Sequence, residues 1–215
     1  APVTMQVYQK NGYNPVTAAN SALNQQIMHA RGYMQTPHDF RNIEATIYVK
    51  LNSTPASDDF FWMARGGEHE KNLPNCEGVA LRAHFGVDGS TQMQKEQWHV
   101  ATVAEPRKNE LGVSIIGTWV GLKFVCLNKT INGILVTSQQ LWVDINNNNN
   151  WELVDQRTDA GGWGNQGFQC GGVSDQLVSW GGPMVQFGWT TFANIDFDKL
   201  SVREIDPAGV PIDAP

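Results

Sequence analysis

Hydrophobic and polar residues alternate with a period of two along most of the chain from residue 41 onward. In the first clear segment, Ile43, Ala45, Ile47 and Val49 occupy alternate positions, with polar or aromatic side chains between them. Such alternation is typical of a β-strand that buries one face. The pattern predicts nine strands, at residues 41–51, 59–65, 77–87, 91–103, 119–128, 134–145, 151–157, 184–191 and 195–205.

Turn-forming residues separate these predicted strands, for example Asp88-Gly89-Ser90 and Asn132-Gly133. Many short strands with almost no helix predict an all-β fold, a two-sheet antiparallel β-jelly-roll sandwich. We expect residues 41–206 to form this domain. Residues 1–40 are expected to be a loop-rich segment packed on it, with at most a helical turn around 18–28, and residues 207–215 a tail.

Composition and charge narrow the classes of partner. The 215 residues are 41% hydrophobic and 10% aromatic, which is enough for one sizeable core. The formal net charge of −6 disfavours a nucleic-acid partner, since phosphate binding needs a basic surface. No stretch approaches the roughly 20 apolar residues that cross a bilayer, so we expect no membrane partner. The first residues lack a signal-peptide pattern, and because Ala1 stands where an initiator Met would, we expect a processed product.

The cysteines are Cys76, Cys126 and Cys170. Cys76 and Cys170 stand in polar, loop-like sequence, whereas Cys126 stands in an apolar run. We interpret Cys76–Cys170 as a disulfide and Cys126 as a buried free thiol, with three reduced thiols as the alternative. A disulfide is typical of a secreted protein, and the wide spacing gives no zinc pattern.

Residues 95–99 carry the first candidate chemistry. Alternation puts Lys95, Gln97 and His99 on one face of their strand. A lysine, an amide and an imidazole spaced about 7 Å apart suit a groove that binds and deprotonates a polar substrate. The alternative is a solvated polar face in which His99 is hydrogen-bonded to a neighbouring strand.

Four more cations are candidates for a ligand site. Lys123 interrupts an apolar strand and shares a face with Gly121, which suggests an outward face that a ligand approaches closely. The alternative is a lysine that protects an edge strand from pairing. Arg65, Arg82 and His84 add positive charge, and arginine is suited to recognition of a substrate carboxylate.

Outward aromatic and acidic side chains complete the candidate set. Alternation turns Trp142 away from the core side of its strand, where its ring is free to stack on a sugar. Glu44 and Tyr48 share the outward face of the first predicted strand. Glu44 stands alone on that strand, so the paired-carboxylate signature of a retaining glycosidase is not evident.

The tract from Asp144 to Glu152 places side-chain oxygens at alternate positions, as a calcium loop does. It departs from that pattern because Asn149 stands where the loop needs Gly, and asparagine is also a preferred turn residue. We therefore expect no required cofactor and no metal ligands among the site residues, with a structural calcium ion as the alternative for this tract.

Several segments resemble the concanavalin A-like jelly rolls of polysaccharide lyases, notably the alginate and glucuronan lyases. The similar parts are residues 41–51, Gln97-Trp98-His99, residues 119–128 and Leu141-Trp142-Val143-Asp144. A group of uncharacterised secreted proteins is also similar across residues 41–205.

The resemblance implies a lectin-like sandwich with specific roles for the residues that match. Gln97 would neutralise the substrate carboxylate, His99 would be the base, and Lys123 would assist. The catalytic tyrosine of the lyases falls at Leu127 here. Tyr48 is therefore the expected replacement as the acid, and either His99 or Tyr48 would remove the proton at C5 of the uronate.

The leading hypothesis is a secreted polysaccharide lyase that cleaves a uronate-containing polymer by β-elimination. A non-catalytic carbohydrate-binding module is the alternative, and a glycoside hydrolase on the same fold is third. We expect a polysaccharide or oligosaccharide partner and a monomer. The predicted catalytic residues are His99, Gln97, Lys123 and Tyr48, and the predicted substrate-binding residues are Arg65, Arg82, His84, Lys95, Trp142 and Glu44.

Overall fold

The computed structural model describes residues 3–8, 40–53, 59–66, 80–97, 101–112, 114–164, 175–182, 184–189 and 194–209. The strands in these ranges are β1 Val3–Tyr8, β2 Ile43–Ser53, β3 Asp59–Gly66, β4 Ala80–Gly86, β5 Thr91–Gln97, β6 Ala101–Ala104, β7 Trp119–Ile131, β8 Ile134–Asp144, β9 Glu152–Asp159, β10 Met184–Trp189 and β11 Asn194–Glu204. The described ranges contain no helix, and therefore none long and apolar enough to cross a membrane.

The strands form two antiparallel sheets. A six-stranded sheet has the order β1-β10-β3-β4-β5-β6, and a five-stranded sheet has the order β11-β2-β7-β8-β9. The predicted all-β, two-sheet sandwich is thereby confirmed. Each of the nine predicted strands is present, but the segment 91–103 contains two, because β5 and β6 pair with each other.

Strand β1 was not predicted from the sequence. It pairs with β10 at the edge of the six-stranded sheet, although it lies in the segment expected to be loop-rich. The helical turn proposed around residues 18–28 lies outside the described residues, as do Cys76 and Cys170. Cys126 is a free and fully buried thiol, as predicted.

The core lies between the two sheets and follows the predicted alternation. Ile43, Ala45, Ile47 and Val49 of β2 are buried, and so are the alternate residues of β7 and β8 that begin at Val120 and Leu141. Large aromatic side chains from the six-stranded sheet pack against them; they include Phe60, Trp62, Phe85 and Phe187. This inward packing leaves the opposite face of β2, β7 and β8 on the outside of the five-stranded sheet.

Candidate functional site

A groove runs across the outside of the five-stranded sheet. Its larger part is a cavity of about 590 Å³. It adjoins a second cavity of about 330 Å³ that shares Glu44, Lys123 and Trp151 with it. We call the two together the outer groove. The larger cavity is lined by Glu44, Thr46, Tyr48, Lys123, Asn147, Asn148, Asn149, Trp151, Lys199, Leu200, Ser201 and Arg203. The smaller adds Val125, Leu127, Lys129, Gln140, Trp142, Ile205, Ala208 and Gly209.

Four of the predicted site residues meet in the outer groove. Strand alternation turns Glu44 and Tyr48 of β2 outward, and it does the same for Lys123 of β7. Lys123 lies directly opposite Trp142 of β8 in the antiparallel register. The Lys123 ammonium is 3.5 Å from a carboxylate oxygen of Glu44, so the two charges partly neutralise each other.

Gly121 allows two aromatic rings to lie close to the sheet. A methyl group at this position would stand 2.6 Å from the Trp151 ring and 3.0 Å from the Tyr48 ring. From the sequence, a ligand was expected to approach this face closely. The structure corrects this expectation, because the protein's own Trp151 and Tyr48 occupy the space.

Two lysines lie over these rings. The Lys123 ammonium is 4.3 Å from the centre of the Trp151 ring, and the Lys199 ammonium is 4.5 Å from that of Tyr48. Tyr48 and Trp151 contact each other edge to face, with ring centres 5.7 Å apart. The groove therefore contains two adjacent aromatic rings with a lysine over each of them.

Lys199 reaches Tyr48 because β11 is bulged. The register with β2 shifts between Asp198 and Ser201, and Lys199 has a φ of 53°. A bulge bends a strand and re-aims its side chains. Lys199 and Arg203 were not predicted as site residues, because the bulge breaks the period-two pattern of β11.

Tyr48 is held by Asp144. Its hydroxyl donates a 2.8 Å hydrogen bond to an Asp144 carboxylate oxygen. Burial, with the hydrogen bond and negative charge of Asp144, raises the pKa of Tyr48 to about 12. The phenol is therefore protonated at neutral pH.

The asparagine tract closes a turn around Asp144. The backbone N–H groups of Asn148 and Asn149 donate to its two carboxylate oxygens at 3.1 and 2.7 Å. Burial raises the pKa of Asp144, but the hydrogen bonds from Tyr48 and these N–H groups outweigh it and the net shift is downward. Asn147 and Asn149 have positive φ angles, as turn asparagines often do.

Calcium binding stays a prediction for this tract. In the described ranges, no cluster of three acidic, histidine or cysteine side chains suited to a metal occurs.

The raised pKa of Tyr48 predicts how stability depends on pH. Between pH 10.0 and about 12 an unfolded tyrosine loses its proton while the folded Tyr48 keeps it. The stabilising contribution of Tyr48 is therefore complete below pH 10.0 and disappears as the pH rises through this window. The measurement is urea unfolding of the parent and Tyr48→Phe. Their difference in unfolding free energy should be constant up to pH 10.0 and shrink above it; a difference independent of pH would contradict the assignment.

Lys95 and Gln97 do not belong to an exposed face. They share a face of β5, as predicted, but it is the inner one, and neither side chain is exposed to solvent. The Lys95 ammonium donates to Asp159 at 2.8 Å and to the carbonyl oxygen of Gln176 at 2.9 Å. Burial lowers the pKa of Lys95, opposed by the nearby Asp159 carboxylate. The predicted ligand-binding position of Lys95 is wrong, because the lysine is half of an internal ion pair.

Arg65 is also fully buried, which contradicts its placement at a ligand surface. It has a φ of 62°, and the register between β10 and β3 is irregular nearby. This local irregularity points its side chain to the inside. The guanidinium donates to Asn128, Thr137, and the carbonyl oxygens of Val178 and Arg41.

Arg82 and His84 lie on the outer face of the six-stranded sheet, away from the outer groove. Arg82 forms an ion pair with Glu96, and His84 is 2.9 Å from the Asp59 carboxylate. His99 lies outside the described residues. The lyase-like set is therefore not assembled among the described residues, because Gln97 is between the sheets whereas Lys123 is on the outside of the five-stranded one.

Comparisons with known proteins give similarity at the level of structure. No protein-family model matches the chain, those of polysaccharide lyases included, and no curated protein matches it. Among solved structures, the chain is similar to sheep galectin-11 in complex with glycerol. The identity is 12% and the TM-score 0.43, over 91% of this chain and 96% of the galectin. The assignment of an antiparallel two-sheet sandwich rests on the strand order described above.

Proposed function

We propose that the outer groove binds a carbohydrate, and that this carbohydrate is an acidic polysaccharide of the uronate type. The observation that supports the proposal is the charge of the larger cavity, where Lys123, Lys199 and Arg203 face one carboxylate, Glu44. This local excess of positive charge stands out in a chain with a net charge of −6. An anionic ligand is the partner that such a cavity favours.

The other lining groups also suit a sugar chain. The amides of Asn147, Asn148 and Asn149 each offer donors and acceptors for hydroxyl groups. The guanidinium of Arg203 is suited to a two-point contact with a carboxylate. The groove is open along the outside of the sheet. An internal stretch of a long polymer can therefore bind in it, and no chain end has to enter first. Such polymers occur outside the cell, so the proposal includes secretion of the protein. It also takes the protein to act as a monomer.

Removing the charge tests the proposal. We expect the double variant Lys199→Gln, Arg203→Gln to bind oligogalacturonate at least about tenfold more weakly, because each lost charge-assisted contact costs about 1 kcal/mol at an exposed site. Calorimetric titration at low and high salt measures the effect, and the affinity of the parent should fall with salt.

Lys50→Gln is the matched control, because Lys50 is on the same face of β2 but does not line either cavity. It should leave the affinity unchanged. Equal losses in the control and the double variant would place binding elsewhere on the surface.

A second candidate function is β-elimination in the same groove. One observation favours it: the protonated Tyr48 lines the larger cavity together with Lys123 and Lys199. Elimination needs an acid for the leaving oxygen and cations that stabilise the charge developing on the uronate carboxylate. Tyr48 would be the acid if its O–H turned from Asp144 to the leaving oxygen, to which it would pass its proton as the C–O bond breaks, and the two lysines would stabilise the charge on the carboxylate. His99, the base predicted from the sequence, lies outside the described residues, so the base of this reaction stays a prediction.

The ultraviolet absorbance of unsaturated sugar ends distinguishes the two candidates. A lyase should release such ends from a uronate polymer, and Tyr48→Phe should lower the rate by about a hundredfold or more with little loss of affinity. A parent protein that binds the polymer but releases no unsaturated ends is a binding module. A glycoside hydrolase is not favoured, because Glu44 is the one carboxylate that lines the described part of the groove and hydrolysis needs a pair.

A further inference from the structure

We infer that Glu44 is an internal competitor in the outer groove: its carboxylate holds two cations that an acid group of the ligand would otherwise take, and this limits how tightly the groove binds. The inference rests on the proposed binding of an acidic polysaccharide and adds the residue that sets its strength. It comes from the position of Glu44 in the strand register and from the partners of the cations in the groove.

Glu44 lies on the middle one of three neighbouring strands, with a cation on each side. In the register it is directly opposite Arg203 of β11 and Val125 of β7. Lys123 is one outward position from Val125 on the same strand. One carboxylate oxygen of Glu44 is 3.5 Å from the Lys123 ammonium, and the other is 3.8 Å from Nε of Arg203. A single carboxylate thus faces cations on both neighbouring strands, which is the place that an acid group of a ligand would also favour.

The two ion pairs of Glu44 are loose enough to be exchanged for a ligand. Both distances exceed the range of about 2.7–3.2 Å that is typical of an N–H···O hydrogen bond. The Glu44 side chain is 22% exposed and that of Arg203 is 52% exposed, so water and an incoming ligand reach them. Pairs of this kind contribute little to folding. A ligand can therefore replace Glu44 at these cations while the sheet stays intact.

The other cations of the groove are not engaged in this way. Four cations line the two cavities, namely Lys123, Lys199, Arg203 and Lys129, and Glu44 is the carboxylate that lines both. In the part of the chain that the structure describes, no acidic side chain is within ion-pair distance of Lys199 or Lys129. Glu44 thus engages half of the cations that line the groove, and its removal would release two of them at once.

Glu44 opposes an acidic ligand in two ways. An acid group that enters between Lys123 and Arg203 has to displace Glu44 or share these cations with it. The negative charge of Glu44 also repels that group at short distance. Among variants of one site, differences in affinity appear mostly in the dissociation rate. Glu44 therefore shortens the lifetime of the complex, so that the protein can leave one stretch of a charged polymer for the next.

Glu44→Gln tests the inference, because it removes the charge and keeps the size of the side chain. We expect the variant to bind oligogalacturonate at least about threefold more tightly than the parent, with a correspondingly slower dissociation. Its affinity should also fall more steeply as salt is added, because two more cations are available to the ligand. Calorimetric titration measures the affinity, and stopped-flow fluorescence measures the dissociation rate.

Two variants are matched controls. Asp196→Asn removes the same charge from the same sheet, because Asp196 is opposite Lys50 on β11 but lines neither cavity. It should bind like the parent. Glu44→Asp keeps the charge on a shorter side chain, and it should bind less tightly than Glu44→Gln.

The outcomes separate the inference from the proposed function. Unchanged or weaker binding of oligogalacturonate by Glu44→Gln would overturn the inference and leave the proposed function intact, provided that the parent binds. Equal tightening in Glu44→Gln and Asp196→Asn would also overturn the inference, because the effect would then be one of net charge. Failure of both the parent and Glu44→Gln to bind would overturn the inference and the proposed function together.

Discussion

Asp159→Ala is expected to lower the free energy of unfolding by about 3–5 kcal/mol, because it leaves a buried ammonium without its counter-charge. Lys95 has no exposed surface, and Asp159 is 1% exposed. Their 2.8 Å ion pair joins β5 to β9, and so links the two sheets. In the variant, the Lys95 ammonium would keep the carbonyl oxygen of Gln176, the nearby Trp163 ring and the weaker attraction of Asp175, none of which replaces the hydrogen-bonded carboxylate. Equilibrium urea unfolding measures the loss.

Arg107→Ala is the control for this prediction. Arg107 also forms a 2.8 Å ion pair, with Asp59, but its side chain is 40% exposed. Water and salt screen such a pair, so its removal should cost less than about 1 kcal/mol. The double variant Lys95→Met, Asp159→Leu should recover much of the stability, because no unpaired charge remains. A loss of under about 1 kcal/mol in Asp159→Ala would show that water reaches Lys95 and that the ion pair is not internal.

The sequence predicted those strands whose alternation is regular. The inward residues are apolar from Ile43 to Leu51 in β2 and from Val120 to Cys126 in β7, so Glu44, Tyr48 and Lys123 had to point the other way. The same argument turned Trp142 of β8 outward. Four members of the outer groove could therefore be identified without knowing how the strands pair.

The inner position of Lys95 and Gln97 could not be predicted by the same method. Alternation shows that two residues share a face, and it does not show which face is buried when both carry polar groups. The partner that makes burial of Lys95 tolerable is Asp159, 64 residues away in sequence. Only the packing of the two sheets brings these two charges together.

The side-chain directions of the remaining residues could not be predicted, because they depend on departures from regular strand geometry. Lys199 reaches Tyr48 through a bulge in β11, and Arg65 points inward at a residue with positive φ in β3. Trp151 follows the asparagine turn just before β9, so no alternation fixes the direction of its ring. Each position depends on a local backbone conformation that the pattern of polar and apolar residues does not encode.

Arg65→Lys is expected to lower the free energy of unfolding by about 2–4 kcal/mol although it conserves the charge. The planar guanidinium donates to acceptors on several segments, namely the Asn128 side chain, Thr137, and the backbone oxygens of Val178 and Arg41. A lysine has one ammonium on a flexible chain and cannot reach all of these acceptors, so buried oxygens would lose their donor.

The control is Arg203→Lys. Because the Arg203 side chain is half exposed, this change should alter the free energy of unfolding by less than about 0.5 kcal/mol. Urea unfolding measures stability, and titration with oligogalacturonate at a temperature where the variant is folded measures binding. A destabilised Arg65→Lys that binds like the parent would establish Arg65 as an internal cross-link between the sheets. A stable Arg65→Lys that fails to bind would instead return Arg65 to the ligand site predicted from the sequence.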